Sequence, residues 1–279
     1  MVNVVSSKDT NKEFDFTTED FERVRGLIYQ RAGISLSDSK QEMVYSRLAR
    51  RLRATGISSF VDYLNMLEEG SDPEEWVAFT NALTTNLTSF FREEHHFPLL
   101  AEFATKIKEP ISVWCSASST GEEPYSIAIT LCEAFHKMNP QVKIIATDID
   151  TNVLKTGADG VYNIDRLDKM SNGRIKKFFL RGTGSNDGQV RVRPELREMI
   201  QFKQLNLLAD SWPINGSFDI IFCRNVMIYF DKPTQKKILQ RFAPLLKPHG
   251  LLFVGHSENF SYLTDTFHLR GKTVYELSR

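Results

Sequence analysis

The sequence predicts a doubly wound α/β domain with a mostly parallel sheet, a small all-α N-terminal domain and an inserted antiparallel β-subdomain. Short apolar strands alternate with helical patterns in the C-terminal part, and only helical patterns occur before it. An alternating VRVR segment between glycine-rich turns interrupts this alternation. We expect a flexible tail at 1–15, the all-α domain at 16–85, a linker at 86–109 and the α/β domain at 110–279, with the β-subdomain at about 176–203.

Four helices with clear end signals are expected in the all-α domain. Thr17 to Asp20 forms a capping signal, and the apolar residues of FERVRGLIYQRAG share one helix face before Gly33. Two further helical segments end at Gly56 and Gly70, and a fourth starts after Asp72-Pro73. Because each segment is short and amphipathic, the four helices should pack into one small bundle.

The α/β domain begins with a strand, a turn of small residues, a helix and a second strand. ISVWC (111–115) and VKIIATDID (142–150) are the strands, and PYSIAITLCEAFHKM (124–138) is the helix between them, which makes a parallel βαβ unit. FDIIFCRN (218–225) is continuously apolar, which indicates a strand buried on both faces. The remaining expected elements are a helix at 233–248 and strands at 250–258 and 273–277.

Composition excludes several classes of protein. The chain has 279 residues, with 35 Lys and Arg against 35 Asp and Glu, and this neutral balance argues against nucleic-acid binding by bulk electrostatics. The three cysteines form no CxxC pair, and the histidines show no metal-ligand spacing, so we expect a reducing compartment and no metal. The N-terminal residues have no apolar segment, and no apolar run is long enough to cross a membrane. We therefore expect a soluble, cytoplasmic monomer.

The turn after the first strand, CSASSTGEE, should lie at the carboxyl edge of the sheet, where doubly wound domains bind ligands. It lacks GxGxxG, and Glu122 and Glu123 stand where a pyrophosphate would bind in a dinucleotide site. These carboxylates would repel phosphate and attract a cationic ligand. The alternative is an ordinary turn whose acidic residues offset the helix dipole.

Asp148 and Asp150 end the second strand, and an acid at this place can accept hydrogen bonds from both hydroxyls of a ribose. The alternative is a turn or helix-capping aspartate. Together with the acidic turn, a diol-binding acid favours S-adenosylmethionine, which has a sulfonium and no phosphate. The same charges disfavour NAD.

Further polar candidates follow other strands or lie in the linker. Asn206 could meet an adenine edge, and Arg224, Asn225 and Tyr229 follow the buried strand directly. In the linker, TNLTSFFR could cover a ligand, although domain packing is the alternative for its aromatic residues. Arg92 differs from them because a buried arginine needs an anionic partner.

Arginines are concentrated on one helix of the all-α domain. They fall within an arc of about 160°, and they are Arg47, Arg50, Arg51 and Arg53. On a neutral protein such a basic stripe favours docking onto an acidic surface. The alternative is a solvated helix face.

These motifs together resemble the chemotaxis receptor glutamate methyltransferases, the CheR-type family. TTNLTSFFRE, CSASSTGEEPYSIA, ATDID, FDIIFCRNVMIYF and LLKPHGLLFVGHSE carry the resemblance, which runs from about residue 15 to the end. The family implies an α-helical N-terminal domain, an S-adenosylmethionine-binding α/β domain and an antiparallel insertion.

The resemblance also implies roles for individual residues. Arg92 and Tyr229 correspond to the catalytic, substrate-side residues. The cofactor contacts correspond to Asn86, Thr88, Arg92, Glu123, Asp148, Asn206, Leu207, Arg224 and Asn225. The receptor-docking residues correspond to Arg47, Arg50, Arg51 and Arg53, and a receptor's C-terminal peptide tether would bind the turn with Gly182, Gly184 and Gly188.

The implied activity is methyl transfer from S-adenosylmethionine to receptor glutamates, giving γ-methyl esters and S-adenosylhomocysteine without a metal. The implied partner is the cytoplasmic part of a membrane receptor, to which the enzyme is recruited. Three alternatives stay open at this point: a methyltransferase with another substrate, a non-catalytic S-adenosylmethionine sensor and a nicotinamide dehydrogenase.

Overall fold

The computed structural model describes residues 12–107 and 109–278. The chain divides into two compact units between Thr84 and Thr85. Most of the segment predicted as a tail, 1–15, lies outside the described residues. Within the described part of the chain, no helix combines the length and apolar character needed to cross a bilayer.

The first unit is helical, as the sequence predicts. Its α-helices within the described residues are α1 (Thr18–Ala32), α2 (Gln41–Thr55), α3 (Phe60–Glu69) and α4 (Pro73–Leu83). Thr17 and Asp20 form the predicted capping box, in which the Asp20 amide donates to the Thr17 hydroxyl at 3.1 Å. Gly33, Gly56 and Gly70 end the first three helices in the left-handed conformation that glycine adopts without a Cβ penalty.

A buried ion pair joins α2 to α4. The Glu75 side chain is 5% exposed and accepts two hydrogen bonds from Arg51, at 3.0 and 2.6 Å. The hydroxyl of Tyr63 on α3 donates to the same carboxylate at 2.6 Å. The cluster contains one residue from each of three helices, α2, α3 and α4. Because an unpaired carboxylate is costly inside a protein, moving these helices apart around Glu75 would be unfavourable.

The second unit contains a large sheet with helices and a small separate sheet. Its helices are α5 (His96–Ile107), α6 (Glu122–Ala134), α7 (Thr151–Asp159), α8 (Asn172–Phe178), α9 (Pro194–Arg197) and α10 (Lys232–Phe242). Its strands are β1 (Ile111–Cys115), β2 (Val142–Asp148), β3 (Val161–Asn163), β4 (Phe179–Arg181), β5 (Gln189–Val192), β6 (Ile200–Gln204), β7 (Phe218–Cys223), β8 (Leu246–Val254), β9 (Phe267–Gly271) and β10 (Val274–Leu277).

The large sheet has the order β6-β2-β1-β7-β8-β10-β9. The first five of these strands are parallel, and β10 pairs antiparallel with both β8 and β9. Every residue of β7 is buried, as its continuous apolar run predicts. The mostly parallel, doubly wound sheet is therefore confirmed, and the carboxyl ends of β2, β1 and β7 lie side by side.

The small antiparallel sheet has the order β3-β5-β4, and its extent differs from the predicted 176–203. It starts earlier, because Val161–Asn163 forms its third strand. The segment Ile200–Gln204 belongs instead to the edge of the large sheet, where it pairs parallel with β2. The three residues of β3 are too few to show an alternating pattern in the sequence. For β6, an alternating pattern alone does not indicate which of the two sheets the strand joins.

The C-terminal elements also differ in their bounds from the prediction. The helix expected at 233–248 ends at Phe242, and β8 starts at Leu246 and includes Pro248. Its pairing with β7 is irregular between Leu246 and Leu251, and such an irregularity tolerates a proline inside a strand. Strand β9 has one buried residue, Phe267, and therefore no apolar pattern that the sequence could reveal.

We predict that Arg51→Ala lowers the free energy of unfolding of the protein by about 2 kcal/mol, because it leaves the buried Glu75 carboxylate without its charged partner. Arg50→Ala on the same helix is the matched control, since Arg50 is exposed. Urea unfolding followed by circular dichroism measures both. Equal unfolding midpoints for the two variants would contradict this role.

Candidate active site

The turn after β1 lies at the carboxyl edge of the large sheet, as expected. Its backbone is tied to both neighbouring strands, since the Ser116 amide donates to Phe222 O and the Ser118 amide to Thr147 O, each at 2.8 Å. The Ser118 hydroxyl is buried and, within the described residues, has no hydrogen-bond partner. The turn therefore presents a rigid backbone and an available polar group at the place where doubly wound domains bind ligands.

Both glutamates of this turn are paired inside the protein. Glu122 is fully buried, forms an ion pair with Arg166 and accepts a hydrogen bond from Thr120 at 2.6 Å. Glu123 pairs with Arg224 at 2.7 Å and accepts from the Cys115 thiol at 3.1 Å. The turn is therefore less negative than the sequence argument assumed, because a guanidinium offsets each carboxylate.

Asp148 ends β2 and is 9% exposed. It accepts hydrogen bonds from the Ser119 amide at 2.8 Å and the Asp150 amide at 3.0 Å. Burial raises the pKa of Asp148 to about 6, although these backbone bonds oppose the shift. A carboxylate held in this way at the sheet edge is suited to accept hydroxyl hydrogen bonds.

The segment that starts at Thr85 reaches the same edge. The Asn86 side chain donates to Asp150 at 2.8 Å, and the Asn86 carbonyl accepts from the Ser119 hydroxyl at 3.0 Å. Asp150 also caps α7, accepting from the Asn152 amide at 2.9 Å. The carbonyl of Thr88 accepts from Arg166 at 3.4 Å. These bonds bring Asn86 to the edge that holds Asp148, and Thr88 to Arg166, the partner of Glu122.

Arg224 is the central cation of the site. Its side chain is 1% exposed and lies between two carboxylates, 2.7 Å from Glu123 and 3.4 Å from Glu93. It also donates to the main-chain carbonyl of Arg92. Arg224 therefore joins the end of β7, the start of α6 and the segment before α5, and it acts mainly by holding these groups in place.

Glu93 completes this charge network. Burial would raise the pKa of Glu93, but hydrogen bonds from His256 and Asn225 and the charge of Arg224 lower it to about 2. The Asn225 side chain donates to Glu93 at 3.1 Å. Glu93 is thus ionised over the whole physiological range and orients both Asn225 and Arg224.

A second buried carboxylate, Glu258, fixes the loop after β7. It accepts four backbone N–H bonds, at 2.6 to 3.0 Å, from Gly255, Asn225, Val226 and Met227. Burial raises the pKa of Glu258 in spite of these bonds. No role was predicted for Glu258, because three of its four backbone partners lie more than 30 residues away along the chain.

The two predicted substrate-side residues lie on segments that this network holds. The Arg92 guanidinium donates to the Leu87 carbonyl at 2.8 Å and is half-buried. Tyr229 is half-buried at the end of the short 3-10 helix Met227–Tyr229, directly after the loop that Glu258 binds. Both side chains are partly accessible from solvent, as groups that meet a substrate must be.

Asn206 and Leu207 follow β6, next to β2. The Asn206 side chain accepts from the Leu208 amide at 2.9 Å. Leu207 is buried, and its carbonyl accepts from Arg241 at 3.3 Å. Because β6 and β2 are parallel neighbours, both residues lie at the carboxyl edge that holds Asp148.

The four arginines predicted to dock a receptor do not form one uniform basic face. Arg47 donates to the Thr84 carbonyl at 2.6 Å, and Arg51 is occupied by Glu75. Arg50 and Arg53 are exposed, and Arg53 pairs with Glu13 at 2.8 Å. Helical periodicity placed the arginines on one arc but could not show which of them have partners in the neighbouring helices.

The proposed tether glycines lie in the turn between β4 and β5. Gly184 and Gly188 have φ of 62° and 80°, where glycine avoids the strain of other residues. A Cβ on Gly182 would come within 2.1 Å of the Asn186 carbonyl oxygen. The glycines therefore shape this turn, and β3 and β4 are the two edges of the small sheet.

His95 and His96 lie close to the carboxylate of Glu93, and their spacing in the sequence does not indicate this. One potential metal-ligand atom each from Glu93, His95 and His96 lies within 4.8 Å of the other two. His96 is fully buried, and burial together with the charge of Arg224 lowers its pKa to about 3. The sequence spacing does not show this proximity, because it depends on the tight turn that brings these neighbouring side chains together.

Comparison with known proteins matches both units. The family model "CheR methyltransferase, all-alpha domain" covers residues 19–84, and "CheR methyltransferase, SAM binding domain" covers residues 86–276. The chain is 56% identical to the chemotaxis protein methyltransferase of Salmonella typhimurium and 55% identical to that of Escherichia coli K12, covering 93% of this chain and 90% and 91% of theirs. It is 54% identical to chemotaxis protein methyltransferase 2 of Pseudomonas aeruginosa, covering 95% of each chain. The chain therefore belongs to the CheR methyltransferase family, and its cofactor is S-adenosylmethionine.

Proposed function

We propose that the protein transfers the methyl group of S-adenosylmethionine to glutamate side chains of chemotaxis receptors. The observation that carries this proposal is the match, along both units, to chemotaxis protein methyltransferases. The partner is then the cytoplasmic part of a membrane receptor, to which the enzyme is recruited. The products are glutamate γ-methyl esters and S-adenosylhomocysteine.

The carboxyl edge of the large sheet supplies the groups that would hold the cofactor. The Asp148 carboxylate is suited to the ribose hydroxyls. Asn86, on the same segment as Thr88, bonds to Ser119 beside it, and Asn206 and Leu207 follow the neighbouring strand β6. The buried, unpartnered hydroxyl of Ser118 supports a polar ligand here, as judged from the described residues. Glu123, Arg224 and Asn225 contribute by holding one another and the backbone of Arg92.

The reaction needs alignment more than it needs acid–base catalysis. When bound, S-adenosylmethionine supplies a methyl group on a sulfonium, whose S–CH₃ bond breaks as an O–CH₃ bond forms on the glutamate. A glutamate side chain has a pKa of about 4.3 and is ionised at neutral pH, so no general base is required. Holding the two reactants in line can lower the barrier by about 7–11 kcal/mol.

Arg92 and Tyr229 are the proposed groups that orient the substrate carboxylate. The charge of the glutamate disappears during the reaction, so an arginine that held it too strongly would stabilise the ground state more than the transition state. Arg92 already donates to the Leu87 carbonyl, which moderates its hold on a carboxylate. We therefore propose that Tyr229 mainly orients the substrate carboxylate and that Arg92 assists its entry into the site.

Receptor docking is proposed for Arg50 and Arg53, the two exposed arginines of α2. Their charge would favour receptor helices rich in glutamate, and methylation would weaken the attraction by neutralising that target. A receptor's C-terminal peptide would bind separately, adding a strand to an edge of the small sheet beside the turn of Gly182, Gly184 and Gly188.

The proposed reaction predicts a base-labile product. After incubation with receptor-containing membranes and S-adenosylmethionine labelled in the methyl group, mild base should release labelled methanol, as a methyl ester does and an N-methyl group does not. Arg92→Ala and Tyr229→Phe should each lower kcat at least tenfold, because the carboxylate is then poorly aligned.

Lys155→Ala is the control for this assay, since Lys155 is 80% exposed and pairs with Asp159. Its kcat should equal that of the wild type. A base-stable product would refute ester formation, and wild-type kcat in both Arg92→Ala and Tyr229→Phe would refute their assignment.

Cofactor affinity should depend on pH through Asp148. Since burial raises the pKa of Asp148 to about 6, lowering the pH from 7 to 5 protonates the carboxyl group that should accept the ribose bonds. We expect the Kd for S-adenosylhomocysteine, measured by calorimetry, to rise about tenfold over this range. Asp148→Asn should bind weakly at pH 7 and lose this pH dependence; an unchanged pH profile in the variant would show that another group is responsible.

Docking should depend on salt and on the exposed arginines. We expect the KM for receptor to rise with ionic strength, because screening weakens surface charge attraction. Arg50→Ala/Arg53→Ala should raise this KM several-fold at low salt and leave kcat unchanged, whereas Lys155→Ala should not alter either value. A KM that is the same for all three proteins at low salt would exclude this surface.

A further inference from the structure

We propose that Glu93, His95 and His96 form a binding site for a divalent transition-metal ion, with Zn²⁺ the ion whose ligand preferences fit best. One donor atom from each residue lies within 4.8 Å of the other two, and imidazole nitrogens with a carboxylate oxygen are typical zinc ligands. Methyl transfer to a carboxylate uses no metal, and the charge network of Arg224 accounts for Glu93 but not for the two histidines beside it.

The hydrogen bonds of His96 leave one ring nitrogen available to a metal. Its Nε2 lies 2.9 Å from the Thr273 hydroxyl oxygen and 3.1 Å from the Lys272 carbonyl oxygen. The carbonyl can only accept, and the hydroxyl donates its own proton to that carbonyl at 2.7 Å, so Nε2 carries the proton. Nδ1 therefore carries a lone pair; it is buried and, among the described residues, has no hydrogen-bond partner. Metal-binding histidines are commonly held in this way, with one nitrogen donating to a carbonyl and the other facing the ion.

Glu93 faces this lone pair. Its Oε2 lies 3.9 Å from His96 Nδ1, while it also lies 3.4 Å from Arg224 and accepts from the His256 amide at 3.2 Å. An ion at this place would therefore share Oε2 with these two donors. Two ligands at about 2.0 Å in tetrahedral geometry would be about 3.3 Å apart. A small closure of the two side chains would therefore bring both within bonding distance of one ion.

Exposed histidines lie on the solvent side of the site. The His95 ring lies 4.2 Å from the His96 ring, measured between centroids. His256 is 67% exposed, and its Nδ1 donates to Glu93 Oε1 at 2.9 Å, so it holds the Glu93 carboxylate beside the site. Arg224, 3.4 Å from Glu93, would repel the ion, and we therefore expect weaker binding than at a structural zinc site.

The test is Zn²⁺ titration of the whole tag-free protein, stripped of metal, against a chromogenic chelator. One equivalent should bind, and His95→Ala should weaken binding at least tenfold. His268→Ala is the matched control, because His268 is exposed and pairs with Glu276 at 2.7 Å, and its affinity should equal that of the wild type. Similar unfolding temperatures without metal would show that the variants fold normally.

Co²⁺ substitution adds a readout that does not depend on the variants. Nitrogen and oxygen ligation should give visible d–d bands without a thiolate charge-transfer band. A thiolate band would overturn the proposal by pointing to the cysteines, as would failure of the wild type to bind Zn²⁺ or unchanged affinity in His95→Ala. None of these outcomes bears on methyl transfer, which is assayed separately.

Discussion

The buried guanidinium of Arg224 is the interaction on which the site depends. It is neutralised by Glu123 and Glu93 and bonded to the main chain of Arg92, so three segments far apart in sequence meet at one charge. A buried charge of this kind is stable only while its partners stay in place. The parallel register of β1 and β7 puts the partners there, since it sets the end of β7 beside the start of α6.

Backbone strain concentrates around the same charge. Phe91, Glu93, Ser119 and Asn225 are non-glycine residues with positive φ, and all lie in the site or beside it. Buried hydrogen bonds hold these conformations; Glu258, for example, binds the backbone of Asn225 and of the two residues after it. The site is therefore preorganised by polar contacts to the main chain, in addition to the packing of the sheet.

The sequence predicted much of the fold because its signals are local. Glycine stops, the Thr17 capping box and the apolar run of β7 each report on neighbouring residues. The placement of β6 and the pairing of Arg51 with Glu75 depend on contacts between distant segments, which periodicity does not contain. The candidate site was located from the rule that ligands bind at the carboxyl edge of the sheet, whereas Glu258 and the internal pairing of Glu122 and Glu123 required coordinates.

The small sheet enters and leaves the large domain at nearly one point. The Val192 amide, at the end of β5, donates to the carbonyl of Gly160, immediately before β3, at 2.8 Å. An insertion closed at its base in this way can change in length or sequence without altering the pairing of the seven-stranded sheet. The turn between β4 and β5 can therefore vary during evolution, whereas Tyr162 and Arg166 of the same insertion are constrained by their bonds to Thr120 and Glu122 at the sheet edge.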